Sequence, residues 1–201
     1  MLKIGITGNI GSGKTTVSRF FKILGIPVFY SDTEAKKVMV TDAQLMSDIK
    51  EHFGADAYFA DGSLNRKLIA GVVFNNEAEL QKLNSLVHPA VFRAFDQWIL
   101  QYPNVPYVLK EAAVLFESGS YKDCDYTIIV TAPNGMRIAR VMQRDGITEA
   151  EAQSREAKQM PQEKKQEMAS FTITNDNTKL VIPQALAIHQ ELMAHTGITE
   201  L

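Results

Sequence analysis

Close to its N-terminus the chain passes from a short apolar run, Leu2 to Ile6, into Gly8-Asn9-Ile10-Gly11-Ser12-Gly13-Lys14-Thr15. Behind it Val17, Phe20, Phe21 and Leu24 recur at helical spacing, which predicts a strand, a turn and a helix over about Thr16 to Leu24. The glycines fill the turn. Glycine, four residues, glycine, lysine and a hydroxyl residue is the order of a phosphate loop. Glycines let successive N–H groups point inward, and the helix N-terminus adds partial positive charge to the same concavity. A polyphosphate is the natural occupant, held by Gly11, Ser12, Gly13, Lys14, Thr15 and Thr16. Lys14 reaches the outer phosphates, and the Thr15 hydroxyl is placed to ligate a magnesium ion bridging them. A turn that merely joins strand to helix explains neither the lysine nor the hydroxyl.

Such a loop demands a parallel sheet, and the rest of the chain supplies candidate strands. Ile26 to Tyr30, Tyr107 to Lys110, Tyr126 to Val130 and Phe171 to Thr174 are apolar runs of strand length, and Gly25 ends the first helix. Strands alternating with helices predict an α/β fold with a five-stranded parallel sheet flanked by helices. Ligands bind such sheets at the carboxyl ends of the strands, where Gly8, Asp32 and Glu111 fall, with Ser31 and Asp32 expected in a loop. From Thr33 to Pro106 the pattern is mostly helical: Thr33 to Val40, Ala43 to Phe53, a turn at Ala60 to Asn65, Arg66 to Phe74 and Ala78 to Leu86. His88-Pro89 predicts a boundary, with Pro89 in the first turn of the next helix and Phe92, Phe95, Trp98 and Ile99 as its core stripe. By default His88 is structural, since no second histidine or cysteine stands at metal-ligand spacing.

A basic stretch after the fourth strand, Arg137 to Ala169, reads as a helical hairpin broken at Gly146 and Pro161. Its charge is nearly balanced, and most of it is a solvated face. Arg140 and Arg144 share a helix face and follow directly from a strand, so from spacing alone they either close over a phosphate or belong to that face.

A chain of 201 residues with 45% hydrophobic content buries one substantial core, which predicts a single domain. The formal charge of -2 argues against a nucleic-acid partner, and no apolar run approaches the length that spans a bilayer. The loop begins almost at the first residue, leaving no room for a signal peptide, and Cys124 is the one cysteine. The expectation is a cytoplasmic chain acting on small molecules, with Cys124 structural; nothing in the sequence speaks to oligomeric state.

Taken in order, "GITGNIGSGKTT", "SDTEAKKV", "DGSLNRKLI", "LNSLVHPAV", "VLFES", "RVMQRD" and "REAKQ" resemble the dephospho-coenzyme A kinase family over nearly the whole chain. The resemblance implies a P-loop fold with a core over residues 1–32 and 107–201, a helical substrate-binding insertion over about 33–106 and a helical lid over about 145–168. It implies that ATP, with Mg2+, donates its terminal phosphoryl group to the ribose 3'-hydroxyl of dephospho-coenzyme A. On the matching positions Asp32 orients and deprotonates that hydroxyl, Lys14 and Arg140 stabilise the transferring group, and Arg144 faces the nucleotide phosphates. Arg66 and His88 fall on positions of the substrate lobe. The sequence departs from the family pattern at Asn9, Tyr30, Glu111, Ala113 and Ser170. Glu111, where an aspartate is usual, remains able to hold a magnesium-bound water.

Kinases of nucleoside monophosphates or of other small alcohols share the loop, insertion and lid, and are the rival within enzymes. A GTP-binding switch is the rival outside them. The chain has no Asn-Lys dipeptide and so lacks the Asn-Lys-x-Asp guanine-reading pattern. A DNA-dependent motor lacks its one-signed basic stripe.

Overall fold

A computed structural model gives the fold over residues 1–74 and 76–196. The chain divides into two compact units, one formed by Met1–Tyr30 with Tyr102–Leu201 and the other by Ser31–Gln101. In the first unit β1 (Leu2–Thr7), β2 (Val28–Tyr30), β3 (Tyr107–Glu111), β4 (Tyr126–Thr131) and β5 (Phe171–Thr174) form one sheet. Its order is β2-β3-β1-β4-β5 and every pairing is parallel. Ile4 sits opposite Leu109 on one side and Tyr126 on the other, so β1 is central and its carboxyl end opens between β3 and β4. Helices α1 (Lys14–Ile23) and α9 (Val181–His195) cover one face. Val17 and Phe21 of α1 and Ala185, Ile188 and Leu192 of α9 bury against Ile4, Ile6, Leu109, Ile128 and Val130. Burying apolar side chains of this size is worth about 1.5–3 kcal/mol each, which is what anchors the loop after β1 to a rigid frame.

Two boundaries differ from the sequence expectation for a local reason. Helix α1 begins at Lys14, not Thr16, so Lys14 and Thr15 lie in its first turn. Strand β2 begins at Val28 because Pro27 has no N–H for the ladder, although its carbonyl still accepts from the Leu109 N–H at 2.9 Å. Gly25 does end α1: its N–H donates to Lys22 and that of Ile26 to Phe21, with Gly25 at φ +84°.

In the second unit α2 (Ser31–Thr41), α3 (Ala43–Phe53), α4 (Arg66–Val73) and α5 (Glu77–Ile99) pack together. Asp42 caps α3 and Asn65 caps α4, each side chain accepting from the N–H three residues on, at 2.9 and 3.2 Å. The turn before α4 is closed by Asp61, whose carboxylate accepts from both the N–H and the hydroxyl of Ser63. Two expectations fail here. Ser31 and Asp32 are the first residues of α2, not a loop; an acidic first turn is favourable at the positive end of a helix. His88-Pro89 marks no boundary either, since α5 runs unbroken for 23 residues through Pro89. Leu83, Val87, Ala90, Val91 and Phe95 form one buried stripe across the proline, and that packing outweighs the single hydrogen bond Pro89 removes. Of the anticipated stripe only Phe95 is fully buried; Phe92, Trp98 and Ile99 are half-buried. Among the described residues no helix is long and apolar enough to cross a membrane.

Three α-helices and a 3-10 turn at Ser120–Asp123 remain among the described residues of the first unit; the α-helices are α6 (Asn134–Asp145), α7 (Glu149–Glu156) and α8 (Gln162–Met168). Gly146 ends α6 in the left-handed conformation, Thr148 and Glu151 form a reciprocal capping box on α7, and Pro161 precedes α8.

Candidate active site

Between Thr7 and Lys14 the chain makes a tight concave turn whose shape depends on two glycines. Gly11 and Gly13 hold φ of +77° and +95°, and a Cβ would lie 2.2 Å from the Arg137 carbonyl oxygen at the first and 2.4 Å from Asn175 Nδ2 at the second. At Gly11 conformation and backbone crowding both require glycine; at Gly13 conformation does, since the Asn175 side chain could move. No side chain caps α1 and no acidic residue stands in its first turn, so the positive end of the helix is left for an anion. The turn opens on a cavity of about 360 Å³ lined by Asn9 and Gly11 through Thr16, together with Arg19, Arg140 and Arg144.

The chemistry of that cavity suits a polyphosphate. Ser12 lines it and is 1% exposed, and its buried hydroxyl has no hydrogen-bond partner among the described residues. A buried hydroxyl costs free energy unless it is satisfied, and an anion there would satisfy it. Arg140 donates to the Gly11 carbonyl at 3.4 Å and to the Asn175 carbonyl at 3.3 Å, tying α6 and the end of β5 to the loop. Arg144 also lines the cavity, and its guanidinium makes a two-pronged contact with Asp145 at 2.7 and 3.0 Å, which raises its pKa. The spacing of these arginines left two readings open; both line the cavity.

At the carboxyl end of β3 the buried Glu111 accepts from the Thr15 hydroxyl at 3.0 Å, with the Lys14 ammonium 3.9 Å away. Thr15 and Glu111 are therefore adjacent oxygens beside the cavity, a pair that could help to hold a hard divalent cation. Among the described residues no cluster of three or more His, Cys, Asp or Glu could hold a metal by itself. Tyr30 is paired in register with Glu111, and burial, then that carboxylate, raise its phenol pKa. Cys124 takes no part: its thiol points at the Ser120 carbonyl, and burial pushes its pKa up to about 11.

Of the residues anticipated from sequence, Gly11, Ser12, Gly13, Lys14, Thr15, Thr16, Arg140 and Arg144 come together around one cavity. Asp32, Arg66 and His88 belong to the second unit. Asp32 is exposed in the first turn of α2, Arg66 is exposed at the start of α4, and His88 is half-buried on α5 and stacked on Phe92 at 6.5 Å between ring centres. Three further participants were not anticipated. Arg19 stands one helical turn beyond Thr15, a spacing that could have revealed it. Asn175 donates to the Ser12 carbonyl at 2.8 Å, and its only sequence signal is its place just after a strand. Arg137 is 3% exposed inside α6 and pairs with Glu156 at 2.6 Å.

What such a loop holds at the carboxyl edge of a parallel sheet is the phosphate chain of a nucleotide, and the class so defined is that of the P-loop kinases. The sequence matches the dephospho-CoA kinase family over residues 2–180. It is 41% identical to the dephospho-CoA kinase of Salinibacter ruber over 89% of this chain and 90% of that one. With that of Bacteroides fragilis it shares 37% identity over 93% and 91% of the two chains. A crystal structure of a Thermus thermophilus protein, 34% identical, superposes with a TM-score of 0.82 over 95% of this chain and 97% of the other. The chain belongs to the dephospho-CoA kinase family, and it is a phosphotransferase.

Proposed function

We infer that the chain transfers the terminal phosphoryl group of ATP to the ribose 3'-hydroxyl of dephospho-CoA, giving CoA and ADP in the last step of CoA biosynthesis. The observation that carries this, beside family membership, is the cationic cavity at the phosphate loop with its unsatisfied Ser12 hydroxyl. The loop N–H groups and Ser12 bind the phosphate chain, and Lys14 and Arg140 offset charge that builds on the transferring group. Arg144, released from Asp145 or sharing its donors, adds a further contact to the outer phosphates. Thr15 and Glu111 would hold Mg2+, which when bound supplies charge neutralisation between the outer phosphates.

Asp32 is proposed as the group that orients the acceptor hydroxyl and takes its proton as the oxygen attacks phosphorus; the leaving ADP oxygen departs in line. Arg66 and His88 are proposed as substrate contacts within the helical insertion. The segment over about 145–168 is proposed as a lid that excludes water from the reaction, which the contacts of its turn with the phosphate loop support. A cytoplasmic location and small-molecule substrates alone, with neither nucleic acid nor membrane as partner, complete the proposal.

The test offers ATP with dephospho-CoA, then with AMP, CMP, UMP and shikimate, and follows ADP release, with mass and position of the new phosphate read on the product. Dephospho-CoA is expected to be preferred and to carry the phosphate at the 3' oxygen. Preference for another acceptor would assign the chain to the neighbouring kinase classes.

A further inference from the structure

The turn between α7 and α8 grips the tip of the phosphate loop. The Asn9 side chain, 1% exposed, donates through Nδ2 to Glu156 Oε1 at 3.0 Å and to the Met160 carbonyl at 3.1 Å. The Ile10 N–H donates to Gln159 Oε1 at 2.8 Å. Glu156 is itself fixed by its pair with the buried Arg137 guanidinium, whose Nε donates to the Ala132 carbonyl at 3.0 Å. The other flank is held as firmly, since Glu117 Oε1 accepts from the Met160 N–H at 2.9 Å and pairs with the fully buried Lys165 at 2.8 Å. Reading these residues as a solvated hairpin accounts for none of this.

We propose that Gln159 and Asn9, with Glu156, form a latch that positions the phosphate loop, so that the α7–α8 turn sets nucleotide affinity without contacting the nucleotide through Gln159. Loops rich in glycine have many conformations to lose, and holding this one in the single shape that presents its N–H groups to an anion needs contacts from outside. Within the loop itself, among the described residues, the Ser12 N–H donates to the Asn9 carbonyl at 3.0 Å. Ile10 does not line the cavity, so its N–H serves the latch and not the ligand. Gln159 is a positioning residue by this argument: it acts on the nucleotide through Ile10.

The inference rests on the reading of the cavity as a nucleotide site, and the experiment separates the two. Gln159→Met keeps length and loses the acceptor; Gln159→Glu keeps both; Asn9→Ala removes the second arm of the latch. In the free protein, Gln159→Met and Asn9→Ala are expected to speed amide hydrogen exchange across residues 9–12, which needs no ligand and so stands even if another nucleotide is used. With ATP, Gln159→Met is expected to raise the ATP KM about tenfold, the effect of one lost buried hydrogen bond, while the acceptor KM stays within about twofold. Gln159→Glu is expected to restore exchange and most of the ATP KM. Unchanged exchange and ATP KM in both Gln159→Met and Asn9→Ala would overturn the latch. So would a rise of both KM values together with a fall in Tm, or failure of Gln159→Glu to rescue. Absence of ATP turnover in the unmodified chain would instead overturn the nucleotide reading and leave the exchange result to decide the latch.

Discussion

Replacing Gly11 by alanine should damage catalysis far more than it damages the fold. Two costs are combined at this position. The residue holds φ +77°, where a side chain costs about 1–2 kcal/mol. The new Cβ would also stand 2.2 Å from the Arg137 carbonyl oxygen and 2.8 Å from its carbon. Both are backbone atoms of α6, which cannot rotate away, so loop and helix must part by about 1 Å, a displacement that costs about 100-fold when it falls on groups that orient a reacting substrate. Arg140 donates to the same Gly11 carbonyl, so the shift also disturbs the arginine proposed to face the phosphates. Gly25→Ala is the control: its φ is +84° but a Cβ there meets nothing within 4 Å. Both variants should lose roughly 1–2 kcal/mol of stability from conformation alone, a Tm decrease of about 2–8 °C for a chain of this size. Only Gly11→Ala should lose about 100-fold in kcat/KM for ATP, equivalent to about 2.7 kcal/mol of transition-state stabilisation. ADP release at varied ATP and thermal unfolding on the same preparations give both numbers. If kcat/KM falls no further in Gly11→Ala than in Gly25→Ala, the collision with α6 does not govern the shape of the loop and the reasoning fails.

Lys14→Ala should lower turnover by about 10²–10³-fold with circular dichroism unchanged, because Lys14 lines the cavity and its ion pair to Glu111 is 3.9 Å long; near-normal turnover would remove Lys14 from the chemistry. Asp32→Asn should cut turnover by about 10²-fold or more and leave ATP affinity and Tm nearly intact, since asparagine keeps the shape and loses the base; retained turnover would reduce Asp32 to a favourable charge at a helix start. Asp42→Ala should reduce stability by about 1 kcal/mol at pH 7 through loss of the α3 cap and the Arg93 contact. The Leu45 N–H holds the Asp42 carboxyl below its ordinary range, so its contribution is present above the unfolded pKa and lost as pH falls through the lower folded value. Urea unfolding should therefore show variant and parent converging in acid below about pH 4, and a constant difference down to pH 2 would contradict the assignment.

The phosphate loop was legible because everything that defines it is local. Glycines at positions 11 and 13, the lysine and hydroxyl that follow, and the apolar runs on either side act on near neighbours, and they specify strand, turn and helix in that order. The five parallel strands were legible for the same reason, with ends shifted where Pro27 withholds a donor or where α1 starts early. Local rules misled at His88-Pro89, where a breaker sits within a helix held by five side chains packed across it, and at Ser31-Asp32, where strand passes into helix without a loop. Sequence alone thus determined the fold class and most of the residues that line the cavity at the loop. Only the tertiary structure decided what holds that loop in shape: Asn175 on the Ser12 carbonyl, 163 residues away, Gln159 on the Ile10 N–H, 149 residues away, and Glu156 between Asn9 and Arg137. Glutamine, asparagine and glutamate read as solvated polar residues along the chain, because a hydrogen-bonding side chain has no periodicity to betray its partner. What assigns them is the sheet, which brings the ends of β1, β4 and β5 to one edge and so places those side chains on the backbone they restrain.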